Sequence, residues 1–293
     1  MEHSICINGN SFPAENKEMA TELFSDALHG VLDLNSGNDK FIFHLDSNDE
    51  GLKDFELSDN FTFENFCDEM ISVDADLALF LLEAEDKSPV LDHIDSDMLE
   101  EISEYSFYIK DEAVDDNCDI YSITWSLSGI LLSLPTESKW SSSEIQLNRT
   151  KDGEYINEDV SIFNISEYKH GEEIYSKINS FSLQDVCSNH ILHTSFIEWY
   201  DSLSSENKHR VSDKLLLACK RSFSGGEPLF KTLTDGIREV RFSAYAGGAI
   251  RILFKHIKEG QQAILVGFIK KSNLDGYETN IELAGTRYTE VCA

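Results

Sequence analysis

Proline is nearly missing from this chain, and basic residues are scarce over most of its length. Only 4 Pro and 16 Gly occur in 293 residues, which excludes a fibrous repeat and long flexible linkers. No apolar run approaches the roughly 20 residues that cross a bilayer, so no membrane partner is expected. The opening MEHSICINGNSF has neither a basic n-region nor an apolar core, so no signal peptide is expected either. The 6 cysteines (Cys6, Cys67, Cys118, Cys187, Cys219, Cys292) show no CxxC spacing. That argues against structural zinc or a disulfide framework and for reduced thiols in the cytoplasm. There is no HExxH. His190 and His193 flank apolar Ile191-Leu192 and read as packing or a strand end, so neither a metal nor a cofactor is expected.

Charge is what the chain has in excess. It holds 54 Asp+Glu against 24 Lys+Arg, yet residues 190–293 carry 14 Lys+Arg against 12 Asp+Glu. The first 189 residues therefore hold 10 basic against 42 acidic residues. Such asymmetry points to two parts with different partners. A hydrophobic content of 41% argues for folded cores in both. The fold class expected is α+β: an acidic mixed α/β domain over 1–187, then a small domain over 188–293. The acidic clusters around Asp46 and Asp111–Asp119 read first as solvated loops. The first domain reads as a regulatory or sensor part, since its charge repels nucleic acid and attracts basic protein.

Periodicity gives the elements. Met19, Leu23, Ala27 and Val31 mark a helix within 15–34, and Phe41–Phe43 a strand. Residues 74–84 are apolar nearly all round and predict a buried helix. Residues 120–134 predict one helix ending at Pro135, with strands over 144–148 and 160–165. In the second domain Phe196, Trp199, Tyr200 and Leu203 mark one helix, and Val211, Leu215 and Ala218 another. Ser204 or Ser205 would cap the second helix, and Gly225-Gly226 would end it. Strands follow over 237–242, 249–256 and 263–269, joined by hairpins at Tyr245–Gly248 and Lys258–Gln261. Two helices packed on an antiparallel sheet result, with an edge strand near His190–His193.

Three runs in this second domain, LTDGIREVRFS (233–243), GGAIRILFK (247–255) and AILVGFIKKS (263–272), appear in a fixed order. Together they resemble the RelE/HigB superfamily of bacterial toxins, in its phage-derived HigB-like branch, over about 190–288. The resemblance implies a metal-independent endoribonuclease that cuts mRNA, commonly on the ribosome, and is held inactive by an antitoxin. It carries over to Arg241, Arg251, Lys270 and Lys271 as the catalytic set. A stress or phage-defence role, with a phage component as trigger, would follow from it.

Register supplies a separate argument. If the first hairpin centres on Ala246, Arg241 lies opposite Arg251 on the neighbouring strand. Like charges so placed cost a few tenths of a kcal/mol, which is tolerable where an anion sits between them. Two guanidinium forks can grip one phosphate. RNA cleavage without metal needs cations for the pentacoordinate phosphate, a base for the 2′-OH and an acid for the 5′-oxygen. Arg238, Tyr245, Lys255 and Tyr277 are the further candidates for RNA contact, with Tyr245, Tyr277 and His256 open to proton transfer or base stacking. Tyr288 reads as helix or tail packing. The alternative is a non-catalytic adaptor that uses the same fold to bind RNA or protein. A third reading places magnesium on carboxylates of the first domain.

Overall fold

The computed structural model describes residues 2–35, 37, 39–46, 51–94, 99, 103, 105–115, 118–151, 154–179, 182–225, 229–244, 248–258, 260–270 and 276–292. They form two compact units, residues 1–178 and 179–293, and the architecture is α+β. Among the described residues no helix is long and apolar enough to cross a membrane.

The first unit is built on a seven-stranded sheet. Its strands are β1 (Glu2–Ile7), β2 (Lys40–His44), β5 (Glu85–Asp86), β6 (Ser106–Ile109), β7 (Ile130–Leu132), β8 (Glu144–Lys151) and β9 (Glu154–Ile165), in the order β5-β2-β1-β7-β9-β8-β6. The run β5-β2-β1-β7-β9 is parallel, and β8 and β6 add antiparallel to its edge. A small hairpin, β3 (Glu56–Ser58) with β4 (Phe61–Thr62), stands apart. Helix α1 (Lys17–Leu32) starts where the Asn16 side chain accepts from Met19 N–H at 2.9 Å. Helix α2 (Phe63–Val73) carries a reciprocal capping box between Thr62 and Asn65. Phe24 of α1 meets Phe66 of α2 edge-on at 5.1 Å, and both are fully buried.

Two expectations for this unit need correction. Helix α3 (Ala75–Glu83) is not buried all round: Leu79 is 56% and Leu82 75% exposed. Its Leu77, Ala78 and Phe80 are buried in the core, with Leu81 packed partly against it. The apolar run 120–134 is a helix only as far as α4 (Asp119–Leu127). Ser128 turns left-handed (φ 49°), and Gly129 passes so close to β1 that a Cβ there would stand 2.9 Å from the Ser4 carbonyl. The chain can then enter the sheet as β7, between β1 and β9. The polar stretch after β9 forms helix α5 (Tyr168–Asn179).

The second unit is a five-stranded sheet in the order β10-β14-β13-β12-β11. Its strands are β10 (Ile191–Leu192), β11 (Phe230–Thr232), β12 (Ile237–Ser243), β13 (Ala249–Lys258) and β14 (Gln261–Lys270). β12, β13 and β14 are the antiparallel meander, and β10 is the edge strand, parallel to β14. Its helices are α6 (Leu183–Val186), α7 (Thr194–Asp201), α8 (Ser205–Lys220) and α9 (Tyr277–Cys292). α6 precedes the expected junction at 187/188, and its Leu183 and Val186 pack into this unit's core. Ser204 caps α8. That helix closes not on Gly225 but through Ser222 and Phe223, both at positive φ (51° and 55°).

Strand alternation divides the sheet between two cores. Val240, Phe242, Ile250, Ile252 and Phe254 face Phe196 of α7 and Val211, Leu215 and Ala218 of α8. Ile237, Leu253, Ala263 and Leu265 face Ala284, Ile281 and Tyr288 of α9. The continuously apolar run 263–269 already fits a strand covered on both faces, and α9 is the cover of the second face, beyond the two helices expected. His193 caps α7 through Nδ1, and its Nε2 meets Glu290 of α9 at 3.0 Å.

Gly267 of β14 lies under the Trp199 indole, where an added Cβ would stand 2.1 Å from the ring. Gly267→Ala is therefore expected to destabilise the second unit by about 1–3 kcal/mol, read as an earlier denaturant midpoint for that unit.

Candidate nucleic-acid interface

The β12–β13 hairpin fixes the site. Arg241 pairs with Arg251, Glu239 with Leu253 and Ile237 with Lys255, all on one face. In the next ladder Arg251 faces Phe268, and Ala249 faces Lys270. Lys270 therefore lies diagonal to Arg251 on that same face, which brings three cations together. The Nε of Arg251 is buried with no hydrogen-bond partner among the described residues.

The sequence reading named Tyr277 but missed Glu239, its partner beside these cations. Glu239, two residues before Arg241 on the same face, is only 1% exposed. The Tyr277 hydroxyl donates to its Oε2 at 2.6 Å. Tyr277 opens α9, following Gly276 at φ 64°. Its ring stands edge-on to Phe268 at 5.9 Å, with the Lys270 ammonium 5.9 Å from the ring centre. Burial first, then the hydrogen bond and charge of Glu239, push the Tyr277 phenol well above the ordinary tyrosine value, while Arg251 and Arg241 oppose the shift. Tyr277 is consequently a neutral phenol at physiological pH. The start of this 16-residue helix also adds partial positive charge to the cluster.

Other candidates are placed elsewhere. Arg238 projects to the opposite face, where its guanidinium lies 5.2 Å from the Phe230 ring centre and 5.6 Å from that of Phe254. Its NH1 donates to the Phe223 carbonyl at 2.7 Å and its NH2 to that of Gly225. It thereby holds the chain leaving α8 and stands apart from the arginine pair. Lys255 shares the face of Arg251 but sits roughly 13 Å along the strand. Its ammonium lies over the Tyr288 ring at 4.6 Å. Tyr288 does pack as helix, donating to the His256 carbonyl at 2.9 Å. His256 is exposed on the opposite face, beside a pocket of about 460 Å³ that Arg238 and Phe254 also line. Tyr245 and Lys271 lie outside the described residues. In neither unit do the described residues hold a group of three His, Cys, Asp or Glu arranged for a metal ion.

Residues 198–289 match the family model of phage-derived Gp49-like proteins (DUF891). This family is related to the RelE/HigB toxin fold. The match spans β11 to β14 and most of α9, so every described residue of the cluster falls inside it. No curated protein and no solved structure matches the chain.

A signal for Glu239 was present in the sequence. In IREVR the period of two already sets Glu239 on the Arg241 face. Ile281, Ala284, Tyr288 and Val291 likewise repeat at helical spacing and could have revealed α9.

Selective labelling of tyrosine Cζ and an NMR titration would check the buried pair. The Tyr277 resonance should titrate above the ordinary tyrosine range, and Glu239→Gln should bring its midpoint down by removing the neighbouring negative charge.

Proposed function

We propose that the Gp49-like region of this chain is a metal-independent, RNA-cleaving toxin module, and that the acidic first unit regulates it. One observation carries the reading: Arg241 and Arg251 face each other on one sheet face with Lys270 diagonal to them. Two forks and an ammonium at that spacing suit a single phosphodiester. In the proposed reaction the arginines hold the phosphate and stabilise the charge gathering on its equatorial oxygens. The Tyr277–Glu239 pair supplies proton transfer: the phenol oxygen takes the 2′-OH proton as its own passes to the Glu239 carboxylate. Lys270 can then protonate the departing 5′-oxygen. The 2′-oxygen attacks phosphorus, the P–O5′ bond breaks, and the products are a 2′,3′-cyclic phosphate and a 5′-hydroxyl.

RNA is the proposed substrate, with the ribosome as the proposed place of cleavage. A separate antitoxin or a phage-derived trigger would be the natural partners of such a module. The kinship of the matched family with the toxin fold supports this setting. The adaptor reading, in which the same face binds RNA without cutting it, makes a different prediction.

Labelled single-stranded RNA incubated in chelator with the full chain, and separately with residues 179–293, is expected to yield cyclic-phosphate ends from at least one of them. Arg251→Ala should lower that rate by about 100-fold or more, as loss of a transition-state donor does. RNA binding by both preparations without cleavage by either would favour the adaptor. Cleavage that needs magnesium and survives loss of both arginines would overturn the site.

A further inference from the structure

The first unit carries an apolar surface that its own core leaves uncovered. Helices α2 and α3 meet at Asp74, which ends one and caps the other. Ile71 and Val73 close α2 at 62% and 74% exposed, and Leu79 and Leu82 of α3 are exposed as well. Ala75, Leu79 and Leu82 recur at i, i+4 and i+7, so they form one exposed stripe along α3. Leu77, Ala78 and Phe80 of the same helix fill the core instead. A solitary exposed leucine needs no explanation, but four large apolar side chains between 71 and 82 do.

Charge narrows what can cover it. Residues 54–86 hold 11 Asp+Glu and no Lys or Arg. Two of these carboxylates are met by α1: Glu69 pairs with Lys17, and Asp74 with His29 at 3.0 Å. Four others, Glu64, Asp68, Asp76 and Glu83, are exposed and have no ion-pair partner among the described residues. Asp68 and Glu64 lie one and two turns before Ile71 on α2, and Asp76 and Glu83 lie one turn to either side of Leu79 on α3. A second copy of the chain would set carboxylate against carboxylate, and an anionic lipid surface would be repelled. Both helices satisfy their interior backbone groups themselves, so they offer no edge to an added strand. A helix with apolar residues on one side and Lys or Arg at its margins meets every one of these conditions.

We propose that the α2–α3 surface docks a basic amphipathic helix of a partner protein. Ile71, Val73, Leu79 and Leu82 seat its apolar side, and Glu64, Asp68, Asp76 and Glu83 pair with its cations. Burial of the four apolar side chains supplies the affinity. The carboxylates set the orientation and speed the encounter, an effect that salt weakens. The surface belongs wholly to the first unit, so its use does not depend on whether the second unit cleaves RNA.

The test uses the full chain with labelled Ile, Leu and Val methyl groups. The probe is a designed helix of about 18 residues, made of leucine and lysine with all leucines on one side. Its control has the same composition in an order that destroys the apolar side. The patterned peptide is expected to shift the methyl resonances of Ile71, Val73, Leu79 and Leu82 more than any others. Leu79→Ser with Leu82→Ser leaves the four carboxylates in place and should weaken binding of that peptide at least about tenfold. Methyl shifts centred elsewhere, an affinity unmoved by the two substitutions, or equal binding of the control peptide would each overturn the proposal. Dimerisation of the full chain that the two substitutions abolish would also overturn it, since a second copy would then be the occupant. The methyl map of the wild-type chain decides even where the double variant fails to fold.

Discussion

Two guanidinium groups face each other across the β12–β13 ladder, and the functional face of the second unit is arranged around that repulsion. Directly opposed like charges cost a sheet a few tenths of a kcal/mol. The cost falls where a counter-charge lies close by. Glu239 supplies one from the same strand face, and it is buried far enough to need its own partner. That partner is the Tyr277 hydroxyl. Arginine pair, carboxylate and phenol thus form one electrostatic unit, in which each member makes the position of another tolerable. With Lys270 included the cations outnumber the carboxylate three to one, and an incoming phosphate would complete the balance.

The two faces of the sheet share the work unequally. One is a conventional apolar core under α7 and α8, with Gly267 bare so that Trp199 can lie flat on the strand. Arg238 belongs to that side, fixing the exit of α8. The other face is closed by α9 over Leu253, Ala263 and Leu265. Its arginine–carboxylate cluster lies where α9 begins, while Lys255 sits farther along the face over Tyr288. The helix therefore covers the apolar part of its face and brings Tyr277 to Glu239 at the margin. Tight packing on the first face holds the strands in register, and that register keeps Arg241 opposite Arg251.

Much of this second unit was legible in the sequence because strand periodicity is strict. Alternation in IREVRFS and AIRILFK gave the strands, and the hairpin centre gave the arginine pairing without reference to contacts. The same alternation sets Arg238 on the face opposite Arg241 and Arg251. Charge alone had grouped it with Arg241, and only the face distinguishes them. α9 escaped because its sequence, YETNIELAGTRYTEVC, is weakly apolar and follows Gly276, so its stripe is faint against its polar residues. In the first unit, 120–134 misled for a different reason. A parallel strand buried on both faces has no alternation to display. Gly129 was the cue, since only a residue without a side chain passes so close to Ser4.

The central claim is that Arg241 and Arg251 grip one phosphate together, and a double-mutant cycle on RNA affinity tests it most directly. Affinities of the full chain, Arg241→Ala, Arg251→Ala and the double variant would be compared at one fixed salt concentration. Joint grip predicts strong non-additivity, with the double variant binding little worse than either single one. Losses that simply add would show two independent charges on a surface and contradict a shared phosphate seat.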